Sequence, residues 1–128
     1  MGPLPASNHH MLPYRDEHLS LDFNQQTAML DAERMTLTRK EYDLLSLLVQ
    51  HAGEIIPREV LLMQVWGYGA EIRTRTLDVH VRRLRKKLGG YADQYIETIF
   101  GIGYRFQPFG ASRFYQTPVT KPAIAIGA

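Results

Sequence analysis

The chain has 128 residues, of which 45% are hydrophobic, and this is the size and composition of one compact domain with tails. It contains no cysteine, so disulfides and thiolate metal sites are excluded. It has no apolar run near the roughly 20 residues that span a bilayer, and no signal-peptide pattern at its start. We therefore expect a soluble, cytoplasmic protein with no membrane partner.

The net charge of +2 conceals an asymmetry between the two halves of the chain. Residues 1–57 carry four basic and eight acidic side chains, whereas residues 58–128 carry eleven basic and five acidic ones. Such a split favours one face that meets an anionic polymer.

The N-terminal residues 1–17 contain three prolines and few periodic apolar positions, which predicts a linker or a cloning remnant. His9 and His10 lack further well-spaced ligands, and zinc needs three or four, so we expect no metal site. From residue 18 the pattern becomes β-like, because Leu19, Leu21 and Phe23 alternate with polar residues. With short strands predicted at 27–30 and 35–37, it indicates an antiparallel meander.

Two helices are predicted next. Thr38 and Glu41 form a capping box that begins the first helix, and Gly53 is expected to end it. A second helix is predicted over residues 58–65 and is broken by the Trp-Gly-Tyr-Gly segment at 66–69. A loop then leads to Thr74, a candidate N-cap for a third helix.

The third helix, residues 73–88, has two unlike faces. An apolar stripe at i, i+4, i+7 and i+11 is interpreted as core and consists of Leu77, Val81, Leu84 and Leu88. The remaining surface has one acid, Asp78, and seven bases: Arg73, Arg75, Arg82, Arg83, Arg85, Lys86 and Lys87. Phosphate backbones suit such a face, because each neutralised phosphate releases a counterion. A solvated surface, a membrane or a calmodulin-like partner remains an alternative for the helix alone.

A hairpin follows the basic helix, since β-branched and aromatic residues at 95–100 and 104–108 flank Gly101-Ile102-Gly103. Residues 109–128 are predicted to be an irregular tail. The order of sheet, helix, helix, loop, basic helix and hairpin favours a winged helix, in which the second helix of a helix-turn-helix enters the major groove.

Several motifs in this order give a specific resemblance. They are Leu37-Thr38-x-x-Glu41-Tyr42-x-Leu44-Leu45, Arg58-Glu59-x-Leu61, Val65-Trp66-Gly67, the run from Arg75 to Leu88, and the run from Thr98 to Phe106. Over roughly residues 18–107 the chain resembles the DNA-binding effector domain of the OmpR/PhoB family of bacterial two-component response regulators. The resemblance implies an α+β winged helix over residues 18–108, with a four-stranded N-terminal antiparallel sheet, three helices and a C-terminal hairpin wing.

The resemblance also implies a DNA site. Arg83 would read bases in the major groove and Val79 would meet a thymine methyl group. The residues expected on phosphates are Trp66, Arg75, Thr76, Arg82, Arg85, Thr98 and Tyr104. The loop after Trp66, with Tyr68 and Glu71, would contact RNA polymerase, with a plain surface loop as the alternative, and copies would pair head to tail on direct repeats. No cofactor is implied.

The chain departs from the family in three respects. Phe100 stands where members that read the minor groove commonly carry Arg, and Pro57 stands where a Ser cap is usual. Nothing in residues 1–17 could supply the family's receiver domain. We therefore expect an excised effector domain or, as the alternative, a stand-alone regulator.

The favoured hypothesis is sequence-specific binding of double-stranded DNA for transcription regulation. The alternative is a winged-helix protein-interaction module, and RNA binding fits less well because the basic surface is helical. An enzyme is not expected, since no nucleophile–base pair, metal set or phosphate-cradling loop is present. Asp78 is predicted to cap or pair locally, and His80 has no evident catalytic partner.

Overall fold

A computed structural model describes residues 12–67 and 74–110 of the chain, the side chain of Thr74 excepted. The predictions for His9, His10, Tyr68, Glu71, Arg73 and the tail after residue 110 lie outside the described residues. The chain forms two compact units, one with the N-terminal strands up to Arg34 and one spanning Met35–Phe109. Each unit is described by itself.

The N-terminal unit contains a four-stranded antiparallel sheet in the order β1-β2-β3-β4. Its strands are β1 (Tyr14–Arg15), β2 (Leu19–Asp22), β3 (Thr27–Leu30) and β4 (Glu33–Arg34). Tyr14 pairs with Leu21, and Leu21 pairs with Ala28, so these three buried residues form a row across the sheet. The period-two pattern of β2 is thereby confirmed.

Two of these strands differ from the sequence prediction. β1 lies inside the segment expected to be a linker, and the last strand is Glu33–Arg34 rather than residues 35–37. A two-residue strand is too short to carry a periodic pattern, and its place depends on pairing instead. The pairing of Glu33 with Leu30 leaves only Asp31 and Ala32 in the turn, both at positive φ, as a two-residue hairpin requires.

The second unit begins with α1 (Arg39–Gln50), whose predicted capping box is confirmed. The Glu41 N–H donates to the Thr38 hydroxyl at 3.2 Å, and the Thr38 N–H donates to the Glu41 carboxylate at 2.9 Å. The helix ends three residues before Gly53, which has a φ of 89° in the following turn and donates its N–H to the Phe106 carbonyl. The glycine therefore reverses the chain rather than capping the helix.

The helix-turn-helix consists of α2 (Arg58–Trp66) and α3 (Thr74–Leu88). Pro57 occupies the N-cap of α2 without a side-chain hydrogen bond, and the Arg58 N–H donates instead to the Ile102 carbonyl at 2.9 Å. Thr74, the candidate N-cap of α3, is already the first residue of that helix. A 3-10 turn (Gly89–Tyr91) and the short α4 (Ala92–Tyr95) follow.

The C-terminal hairpin of β6 (Ile96–Ile99) and β7 (Gly103–Phe106) confirms the predicted wing with shorter strands, since Tyr95 belongs to α4. A strand that the sequence analysis missed, β5 (Ile55–Pro57), adds to it in the order β5-β7-β6. Its three residues lie between α1 and α2 and contain a proline, so the sequence pattern there indicates a loop.

The core of the second unit confirms the apolar stripe of the basic helix. Leu77, Val81, Leu84 and Leu88 are each at most 1% exposed. Tyr95 and Phe106 stack with their ring centroids 5.4 Å apart. α3 is therefore fixed by one face, which leaves the opposite face for a partner.

Candidate nucleic-acid interface

The outward face of α3 carries a row of exposed cations, Arg75, Arg82, Arg83 and Lys86, here called the cationic face. Because an α-helix advances about 100° per residue, these residues lie opposite the buried stripe. Within residues 12–67 and 74–110, none of the four forms an ion pair. The face therefore presents four charges that no described carboxylate neutralises.

Smaller side chains fill the cationic face between the arginines. Val79 is half-buried and lies one turn from both Arg75 and Arg83, so an apolar contact adjoins the exposed guanidinium groups. Thr76 is also half-buried, and its carbonyl accepts a hydrogen bond of 2.8 Å from Nδ1 of His80. The predicted base-reading pair, Arg83 and Val79, thus lies on one accessible surface.

Trp66, at the end of α2, is held beside this helix. Its ring meets His80 edge to face at 4.9 Å between centroids, and the Lys40 ammonium lies 6.0 Å from the Trp66 centroid. Lys40 also donates to the Val65 carbonyl at 2.7 Å, which satisfies an acceptor at the end of α2. His80 therefore packs against Trp66 and hydrogen-bonds back to its own helix.

Arg85 is not part of the cationic face. Its Nη2 donates to the Ile96 carbonyl at 2.8 Å and to the Thr98 hydroxyl at 2.7 Å, both on β6. Its Nε is buried and has no hydrogen-bond partner among the described residues. Arg85 therefore joins α3 to the wing, and the Thr98 oxygen, which accepts from Arg85, keeps its own proton for another acceptor.

Lys87 is likewise turned away from the cationic face. Its ammonium donates to the carboxylate of Glu41 at 2.5 Å, and Glu41 is only 2% exposed. Burial alone would raise the pKa of Glu41, but the hydrogen bond and charge of Lys87, with the bonds from Thr38, bring that pKa below its usual value. Two basic residues of α3 therefore make contacts within the domain: Arg85 bonds to β6 and Lys87 bonds to α1.

Asp78 lies at the centre of a polar cluster that joins α2, α3 and the wing. One carboxylate oxygen accepts from Arg58 at 2.5 Å and the other accepts from the Tyr104 hydroxyl at 2.7 Å. Burial raises the pKa of Asp78, but the bonds from Tyr104 and Arg58 outweigh it and lower that pKa overall. The prediction that Asp78 pairs locally was wrong, since its partners are 20 and 26 residues away.

Tyr104 was expected on phosphate, and the structure gives it a different environment. It is 5% exposed, and burial followed by its bond to Asp78 raises the pKa of its phenol. The guanidinium groups of Arg58 and Arg85 lie 5.9 and 5.8 Å from its ring centroid. Its one proton is donated to Asp78, so it cannot donate to a phosphate while that bond is made.

The contacts that sequence reasoning missed are long-range pairs between polar residues. Arg58 and Lys87 look like ordinary surface charges in the sequence, and only the fold brings them to Asp78 and Glu41. Arg85 lies two residues after Arg83 and Lys87 one residue after Lys86, so composition cannot separate the two pairs. A helical projection would have helped for Arg85, which lies close to the apolar stripe.

No group of three or more His, Asp or Glu side chains that could hold a metal occurs within the described ranges. None of the helices in that part of the chain is long and apolar enough to cross a bilayer.

A helix-turn-helix whose second helix exposes a cationic face that no carboxylate of residues 12–67 and 74–110 neutralises, with a wing bonded to its flank, defines a winged-helix DNA-binding domain. Residues 32–106 match the family described as "Transcriptional regulatory protein, C terminal". The chain belongs to this family, in its OmpR/PhoB-type branch, which confirms the resemblance found in the sequence.

Individual relatives agree with this assignment. The response regulator ArlR of Staphylococcus aureus is 40% identical over 87 residues, which are 67% of this chain and 40% of the relative. The chain thus spans about 40% of the length of that relative.

Solved structures are similar in fold. DrrB, an OmpR/PhoB homolog of Thermotoga maritima, has a TM-score of 0.69 and 32% identity over 74% of this chain and 44% of its own. The RstA DNA-binding domain of Klebsiella pneumoniae in complex with the RstA box has a TM-score of 0.67 and 33% identity, over 75% and 97%. The DNA-binding domain of CpxR from E. coli has a TM-score of 0.67 and 30% identity, over 76% and 97%.

Proposed function

We propose that this domain recognises a specific sequence in double-stranded DNA and regulates transcription as the output domain of a two-component response regulator. The observation that carries the proposal is the cationic face, on which four exposed bases have no ion-pair partner within the described ranges. The RstA relative, whose structure was determined with the RstA box, supports duplex DNA as the ligand. No catalytic step is assigned to any residue.

Base reading is assigned to the middle of the cationic face. Arg83 is exposed and its guanidinium fork matches O6 and N7 of guanine, while Val79 offers an apolar contact to a thymine methyl group. Arg75, Arg82 and Thr76 are assigned to phosphates, and exposed Lys86 joins them as a point charge. Such contacts fix the register of the helix in the major groove, and the base contacts supply the preference.

Phosphate contacts at the two edges are assigned to Trp66 and Thr98. Trp66 can donate its indole N–H, and Thr98 retains its hydroxyl proton because its oxygen accepts from Arg85. Arg85 and Tyr104, expected on phosphate from the resemblance, are assigned a positioning role instead. Their polar atoms already bond to β6 and to Asp78.

The wider assembly is carried over from the family. Copies of the domain would pair head to tail on direct repeats. The loop with Tyr68 and Glu71 would contact RNA polymerase. A regulator of this kind works where the bacterial chromosome is, in the cytoplasm.

Selection of bound duplexes from a random pool tests the proposal, at about 150 mM salt to suppress nonspecific binding. Enriched direct repeats whose half-sites lie about one helical turn apart are expected. Salt-sensitive binding without enrichment of any sequence would overturn specific recognition and leave only a basic surface.

Two arginines of the cationic face separate the proposed roles. Arg83→Ala should weaken the cognate site by about 1–3 kcal/mol and relax preference at one base position. Arg82→Ala should weaken all duplexes alike and reduce the salt slope by about one unit. If Arg83→Ala leaves the selected sequence unchanged, Arg83 does not read a base; if neither wild type nor variant selects a sequence, the winged-helix interaction module becomes the better account.

A further inference from the structure

Phe100 is the most exposed of the large apolar side chains in the described part of the chain. It is 89% exposed at the tip of the wing, and Ile102 beside it is 49% exposed. A scattered surface hydrophobe needs no explanation, but two neighbouring ones at the tip of an ordered turn point to a partner.

The tip is held firmly by hydrogen bonds on both sides. The Ile102 N–H donates to the Ile99 carbonyl at 2.9 Å, which closes a four-residue turn with Gly101 at a φ of 80°. The Ile102 carbonyl accepts from the Arg58 N–H at the start of α2. Phe100 therefore projects from a fixed turn, so little ordering is required when it meets a surface.

The wing is attached along one flank of the cationic face. Asp78 and Arg85, the two α3 residues bonded to Tyr104 and Thr98, lie on the same side of the helix. Arg82 is one turn from Asp78 and lies next to this flank, on the solvent side. The strands of the wing are thus bonded to the flank of α3 that borders the cationic face.

We propose that Phe100 is an apolar wedge that enters the minor groove beside the helix-bound major groove and partly unstacks one base step. This inference rests on the proposed function. With α3 in the major groove, a wing on its flank must cross the adjoining phosphate backbone, and the minor groove lies beyond it. Ile102 would pack on the neighbouring sugar.

The wedge confers a type of specificity that no charged wing tip would. Phe100 has no charge to exploit a narrow A·T-rich groove and releases no counterion. Apolar side chains instead insert where unstacking is easiest, at pyrimidine–purine steps such as TA and CA/TG. The domain should therefore prefer a flexible step at a fixed distance from the bases that α3 reads.

The test uses the selected duplex with 2-aminopurine substituted in turn at each step that flanks the major-groove site. Wild-type protein should raise the fluorescence at one step, because an unstacked base is less quenched. Phe100→Ala should abolish that rise and weaken binding about tenfold, with an unchanged salt slope. Phe100→Leu should retain both effects in part. Ile55→Ala, at an exposed position on the same sheet, is the matched control and should match wild type.

Each other outcome has a definite meaning. If Phe100→Ala binds as tightly as wild type, and wild-type protein raises the fluorescence at no step, the wedge is overturned while specific DNA recognition stands. If Phe100→Ala weakens only the second protein on a two-site duplex, the tip contacts protein, and the wedge is again overturned. If wild-type protein selects no sequence, the proposed function itself fails, and the wild-type measurement alone reveals this.

Discussion

The Lys87 ammonium of α3 lies 2.5 Å from the carboxylate of Glu41 in α1, 46 residues away in the chain. The same carboxylate oxygen accepts the Thr38 N–H that closes the capping box. One buried group therefore both begins α1 and anchors α3 against it. This bond divides two exposed, neighbouring lysines into two roles, since Lys86 has no ion-pair partner among the described residues while Lys87 is bonded to Glu41.

Lys87→Met should lower the free energy of unfolding by about 1–3 kcal/mol, because Glu41 would stay buried without its cationic partner. Lys86→Met should change that free energy by less than about 0.5 kcal/mol. It should instead reduce the salt slope of duplex binding by about one unit. Urea unfolding and a salt titration of binding check the pair. Equal stability of the two variants would contradict the division of roles.

The stability of the domain should fall in acid because of Glu41. Its pKa is lowered in the folded protein from an ordinary value of 4.5, so the unfolded state binds the proton more readily. The stabilisation is thus complete above pH 4.5 and is lost as the pH falls through the lowered folded value. Asp78, whose pKa is also lowered from 3.8, acts in the same direction at lower pH.

Urea unfolding at a series of pH values between about 6 and 3 measures this dependence. Glu41→Gln should be less stable than wild type at neutral pH and should flatten the acid limb of the curve. Glu59→Gln, at an exposed position in α2, is the control and should keep the wild-type slope. An acid limb of equal steepness in Glu41→Gln would show that other carboxylates dominate.

Arg85 and Arg82 should respond differently to the same substitution. Arg85→Met removes the hydrogen-bond donor to the Ile96 carbonyl and the Thr98 hydroxyl. It should therefore destabilise the domain by about 1–3 kcal/mol. Arg82→Met should leave stability within about 0.5 kcal/mol and reduce the salt slope by about one unit. If Arg85→Met instead gives the stability of wild type and a reduced salt slope, Arg85 contacts phosphate, as the resemblance implied.

The sequence predicted those parts of the fold in which periodicity and local chemistry agree. The capping box of Thr38 and Glu41 and the stripe from Leu77 to Leu88 are local patterns, and both are confirmed. β1 was missed because two residues are too few to carry a periodic pattern, and β5 was missed because its partner β7 lies far along the chain. Pro57, which would interrupt a central strand, lies at the end of β5.

The candidate site was predictable as a surface but not as a set of individual roles. The helical period separates Arg83 from the buried stripe, so its exposure followed from the sequence. Whether a given cation meets solvent or a carboxylate depends on contacts such as Lys87 with Glu41, 46 positions apart. The resemblance implied that Arg85 and Tyr104 contact phosphate, whereas in the structure both hydrogen-bond to groups within the protein.

Gly103 is the residue on which attachment of the wing should depend most. A Cβ added there would lie 1.9 Å from the Ile56 carbonyl oxygen and 2.9 Å from the Pro57 Cα, and neither backbone atom can move without parting β5 from β7. Gly103→Ala should therefore destabilise the domain by about 3 kcal/mol or more.

Gly101→Ala is the matched control, because Gly101 has a φ of 80° but open space around its Cα. It should cost only about 1 kcal/mol of backbone strain.

Gly103→Ala should also alter DNA binding at a temperature where the variant remains folded, because displacement of β5 should shift the wing tip that carries Phe100. The 2-aminopurine signal should then be lost while Arg83 still selects its base. Loss of both together would mean that α3 depends on the sheet and that the wing is not a separate reader.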